Sequence, residues 1–142
     1  MIRANAAAWQ APLTAPGAAR RPRPDKWSPL EYGCHVRDVF TLYDYRLGLM
    51  LTEDDPLYPN WNQDETAVAD RYDTQDPAAV AGELAGAAET LAARFSALTG
   101  DQWTRPGRRS DGARFTVETF ARYLVHDPVH HLYDVTGLPH SR

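Results

Sequence analysis

The sequence predicts an all-α protein, a four-helix bundle with a long crossover between its second and third helices. Three observations carry this. Three segments open on side-chain caps and continue with apolar residues at three- and four-residue steps, as helices do. No segment shows the sustained alternation of a half-buried strand. The stretch from Thr52 to Gln75 is far longer than a helix hairpin needs, which is about 2 to 8 residues.

Residues 1 to 11 are rich in helix formers and are expected to form a short helix that stops at Pro12. From Pro12 to Lys26 the prolines and Gly17 mark a connecting loop. Ser28, Pro29 and Glu31 then supply an N-cap, a first-turn proline and the third residue of a capping box. This second helix should run to about Leu51, buried over much of its circumference. One stripe on it is polar: Glu31, His35, Asp38 and Arg46, with Leu42 among them. Taken alone, that stripe reads equally as a solvent face with intrahelical ion pairs.

The crossover is acidic, with a short helical turn expected around Asp64 to Tyr72. Asp76 and Pro77 repeat the cap pattern and open a third helix to about Leu98, ended by Gly100. Trp103 to Arg114 reads as a loop bearing Arg105, Arg108 and Arg109. Thr116 caps the last helix, Phe115 and Phe120 are placed as a hydrophobic staple, and Gly137 ends it near Thr136, with Pro139 beyond.

Composition narrows the function. The 142 residues fit one domain, 1–142, and the net charge of −4 with pI near 5.7 lacks the basic excess of a nucleic-acid binder. No apolar run approaches a membrane span, and the single cysteine, Cys34, suits a reducing cytoplasm. A cytoplasmic protein with neither nucleic-acid nor membrane partners is expected.

The last helix holds the densest chemistry, three histidines and two aspartates between Tyr123 and Asp134. His126 and His130 are four apart, so their imidazoles stack on one face and can converge on one ion. His131 is rotated by about 100° from that pair. Pro128 inside the pattern predicts a kink beside the histidines. A third ligand is needed. Since His140 falls in the tail, His35 on the polar stripe is the natural candidate, giving a metal site of His35, His126 and His130. Cys34, a helical neighbour of His35, diverges from it and reads as a core residue.

The capped Trp27-Ser28-Pro29-Leu30-Glu31 segment followed by His35, with His126 and His130 on a final helix, resembles the DinB-like superfamily. That superfamily includes mycothiol-dependent maleylpyruvate isomerases and low-molecular-weight-thiol S-transferases. The resemblance runs from Trp27 to Asp134 and implies a bundle holding a divalent metal through one ligand on helix two and two on the last helix. In the isomerase branch the first of that pair is a glutamate where this chain has His126, and the His-His and Asp that follow resemble His130, His131 and Asp134. An all-histidine triad is usual in the DinB branch.

The implied activity is a metal- and thiol-dependent S-transferase or isomerase, with a small thiol such as mycothiol and an electrophile as partners. The alternative is a noncatalytic metal-binding or dimerising stress-related bundle, and a homodimer suits either. Imidazoles suit zinc or nickel first, then iron or copper. Glu31, Asp38, Asp127 and Asp134 are candidates to orient the ligands. Arg46, Arg105, Arg108 and Arg109 are candidates to bind carboxylates of substrate or cofactor. No catalytic side chain is singled out.

Overall fold

The computed structural model describes residues 1–137; His140 and Pro139 lie outside the described residues. Helix α1 spans Ile2–Thr14, α2 Pro29–Thr52, α3 Gln63–Ala69, α4 Pro77–Ser96 and α5 Val117–Thr136. The starts follow the caps. Ser28 and Glu31 form a complete capping box, the Asp76 carboxylate accepts from the Ala79 amide, and the Thr116 hydroxyl accepts from the Thr119 amide. Gly137 takes the left-handed conformation (φ 69°) that closes α5.

The long helices α1, α2, α4 and α5 form the bundle, with both α1 and α2 packed against α4 and α5. Trp9 and Leu13 of α1, Phe40 and Leu47 of α2, Leu84 and Leu91 of α4, and Phe120 and Leu124 of α5 fill its core. Gly33 lets α1 lie close to α2, since a Cβ built there would meet Leu13 Cδ2 at 2.5 Å.

Three local features depart from expectation. Pro12 lies inside α1, which continues to Thr14: one backbone bond is lost, but Leu13 is buried and the Ala15 amide still reaches the Ala11 carbonyl. Gly100 does not end α4, which stops at Ser96; Gly100 begins a single helical turn, Gly100–Thr104. The arginine loop contains a hairpin, β2 (Pro106–Arg109) with antiparallel β3 (Arg114–Thr116), turned at Gly112 with φ 97°. A strand from the crossover, β1 (Leu57–Tyr58), pairs parallel to β2. Strands of two to four residues are too short to show alternation, so the sequence pattern could not reveal them.

The crossover is long, as expected, and is not one helix. It carries β1, then α3 capped by Asn62, then the turn Tyr72–Thr74, whose Tyr72 is fully buried. Pinning β1 to the hairpin holds the segment that follows it, Pro59 to Trp61, over the His35 face of α2. Pro128 does not end α5 and is itself buried.

Candidate metal centre and its cavity

His35 sits in the middle of the polar stripe on α2, and that stripe faces inward: Glu31, His35 and Arg46 are all buried. The His35 ring is held by stacking on Trp61 (5.4 Å, 2°) and by Trp27 at 5.8 Å. Across the bundle it meets α5. His35 Nε2 lies 2.9 Å from Asp127 Oδ2, and His131 Nε2 lies 3.2 Å from Asp127 Oδ1. One ligand atom from each of His35, Asp127 and His131 falls within 4.8 Å of the others.

Two imidazole nitrogens and a carboxylate at this spacing are a chemically suitable donor set for a divalent transition metal. The orientation of His131 fits as well. Its Nδ1 lies 3.1 Å from Asp134 Oδ2, so donation to that carboxylate leaves Nε2 as the free donor toward the centre. His35 Nδ1, by contrast, is buried with no hydrogen-bond partner among the described residues.

Electrostatics follow the same contacts. Burial opposes the charge on Asp127, but hydrogen bonds from His131 and His35 outweigh it and hold the carboxyl well below its usual range. Burial likewise opposes the His131 cation, yet the bond to Asp127, aided by Asp134, raises its pKa.

The pair on α5 that faces His35 is therefore shifted by one residue from the histidine pair chosen by spacing. His126 and His130 are exposed, and they line the cavity beside the centre instead of joining the cluster. His130 Nε2 is 3.6 Å from Asp134 Oδ2. The physical reason is helical phase. Counting from buried Leu124, Asp127 and His131 lie about 60° and about 20° away, whereas His126 and His130 lie about 160° and about 120° away. Asp127, read from the sequence as an orienting partner, thus stands in the cluster, and Asp134 takes the orienting position.

The cavity has a volume of about 390 Å³, within the range of small-molecule sites. His35, Val39, Tyr43 and Arg46 of α2 form one wall, Trp61 covers it, and Tyr123, His126, Asp127 and His130 of α5 face them. A larger groove of about 750 Å³ between α1, the loop after it and α5 has no His, Cys, Asp or Glu in its lining, so the smaller cavity is the candidate site.

The four candidate arginines divide. Arg46 and Arg109 line the cavity. Arg105 donates to the Met50 carbonyl at 2.6 Å and to that of Glu53 at 2.9 Å, and Arg108 pairs with Asp55 at 3.1 Å, so both tie the hairpin to the end of α2. Of the other expected orienting groups, Glu31 is bound by Arg21 and Ser28, and Asp38 by the Tyr72 hydroxyl and Arg37. Cys34 is buried, and burial pushes its thiol up to about 12. No described helix is long and apolar enough to cross a membrane.

Comparison with known proteins agrees with this architecture. The sequence pattern of the DinB superfamily matches residues 2–135. Among solved structures, YfiT from Bacillus subtilis, described as a probable metal-dependent hydrolase with an unusual four-helix bundle topology, superposes with a TM-score of 0.83. The two share 20% identity over 96% of this chain and 80% of that one. No curated protein matches. With the family pattern spanning nearly its whole length and its bundle shared with YfiT, the chain belongs to the DinB superfamily.

Proposed function

We propose that this chain is a divalent-metal-dependent enzyme that directs a small nucleophile, water or a low-molecular-weight thiol, at an electrophilic substrate in the cavity beside His35. The observation that carries the reading is the convergence of His35, Asp127 and His131 at a cavity wall, with His131 oriented by Asp134. A divalent cation held there, zinc or nickel before iron or copper, supplies Lewis acidity that makes water or a thiol nucleophilic near neutral pH.

The chain's own residues do the rest. His35 and His131 each turn Nε2 toward Asp127, where both could ligate a cation, and Asp127 contributes a charge that its surroundings keep ionised. Trp61 and Trp27 fix the His35 ring and exclude water from one side. Two histidines and one carboxylate is also the donor set of hydrolytic zinc proteases, which supports water as a nucleophile. Thiol-dependent transfer or isomerisation is the finer reading. Because Cys34 is buried and protonated, the thiol would have to arrive as a second substrate such as mycothiol.

The test is turnover by the full chain on a panel of activated esters and amides, and on electrophiles offered with microbial thiols. Chelation should stop the reaction and added metal restore it. A panel with no chelator-sensitive turnover would favour the noncatalytic metal-binding bundle.

A further inference from the structure

Arg46 is the one cavity arginine that forms no salt bridge with a carboxylate among the described residues, Asp111 acting on it only from a distance while paired to Arg109. It is 3% exposed, donates through Nη2 to the Pro59 carbonyl at 2.7 Å, and lies over the Tyr58 ring at 4.7 Å and the Tyr43 ring at 5.6 Å. Arg109, in contrast, is neutralised by Asp111 at 2.9 Å. A buried cation without a counter-ion is costly, and a guanidinium keeps its planar fork of donors available for a carboxylate. Arg46 also lines the same cavity as the metal-ligating cluster.

The spacing along α2 gives the substrate its shape. His35, Val39, Tyr43 and Arg46 follow one helical face, so the cluster and the guanidinium stand at opposite ends of one wall with an apolar and aromatic stretch between them. Their Cα atoms are separated by about 16 Å along the axis, and the Arg46 side chain leans back toward His35 because helical side chains tilt toward the N-terminus.

Building on the metal-dependent reading above, we propose that Arg46 is a carboxylate-binding subsite, and that the substrate is an elongated monocarboxylate with an apolar middle and its reacting group at the end remote from the carboxylate. One guanidinium without a direct ion-pair partner matches one carboxylate, whereas a phosphate dianion would leave negative charge unanswered. Pro59 and Tyr58, both from the crossover, hold the guanidinium in place, which makes the crossover a determinant of specificity.

The experiment is calorimetric titration of the full chain with ω-phenylalkanoates of increasing length and with their primary amides, before and after treatment with chelator. In the best-fitting member the carboxylate should bind about tenfold or more tighter than its amide, and that preference should persist after chelation. Arg46→Gln, which can still donate to the Pro59 carbonyl, should abolish the preference while metal content stays at the wild-type value. Because the amide control is made on the ligand, the wild-type comparison stands even if the variant fails to fold.

Equal binding of acid and amide across the series overturns the subsite. A preference that vanishes with the metal but survives Arg46→Gln also overturns it, since the carboxylate would then be binding the cation, and leaves the metal-dependent reading standing. A preference that survives chelation in a protein that purifies without metal and takes none up supports the subsite while the metal-dependent reading fails.

Discussion

At the scale of single residues, the candidate metal centre depends on which side chains of α5 face His35. Both His126/His130 and Asp127/His131 have the four-residue spacing, and spacing alone favours the all-imidazole pair. What distinguishes the two in the folded protein is that Asp127 and His131 meet His35, with Asp134 holding His131 through Nδ1 at 3.1 Å, closer than its 3.6 Å approach to His130. Asp134→Asn should therefore weaken metal binding by about 10- to 100-fold without changing the number of ions bound, measured by competition with a chelating dye. Unchanged affinity would remove the orienting role. The pair that meets His35 was legible in principle: Phe120 and Leu124 reveal the buried phase of the helix, and Asp127 and His131 fall one heptad after them. What no spacing rule carries is the stacking of Trp61 on His35, because it depends on where a long crossover returns to the bundle.

At the scale of elements, caps were the most readable signal, since each needs only a few adjacent residues. Ser28→Ala should lower stability by about 1 kcal/mol in a denaturation experiment, as loss of a side-chain cap does. Glu31 adds a pH dependence. Burial alone would raise its pKa, but the Arg21 guanidinium and the Ser28 amide outweigh that and depress it below the ordinary value near 4.5. A group depressed on folding contributes stability above its unfolded pKa and loses it as pH falls through the folded one. Wild type should therefore lose more stability than Glu31→Gln as pH is lowered from about 5.5 toward 3; parallel curves would contradict the assignment. Gly33→Ala tests the contact between α1 and α2. Its gain in helix propensity should be exceeded by the clash with Leu13, for a net loss of about 1 kcal/mol by chemical denaturation. Pro12 and the short strands were less legible, because burial of Leu13 and pairing with a distant segment decide them.

At the scale of the molecule, the cluster joins α2 to α5 across the bundle, with the crossover as its cover. A cation bound there cross-links two helices far apart in sequence, so metal should stabilise the whole fold. Free metal at about 100 times its dissociation constant should add about 2.7 kcal/mol, seen as a rise in Tm that chelator reverses. The bundle and its long crossover could be read from helix periodicity and connection length, whereas the rotation of α5 that decides which of its side chains meet His35 is set by tertiary packing. The most direct measurement is the metal content of purified single variants, each checked for folding by circular dichroism. His35→Ala, Asp127→Ala and His131→Ala should lose the ion, while His126→Ala and His130→Ala should retain it at wild-type stoichiometry. Loss of metal from His126→Ala and His130→Ala, with retention in Asp127→Ala and His131→Ala, would contradict the account and return the site to the all-histidine pair.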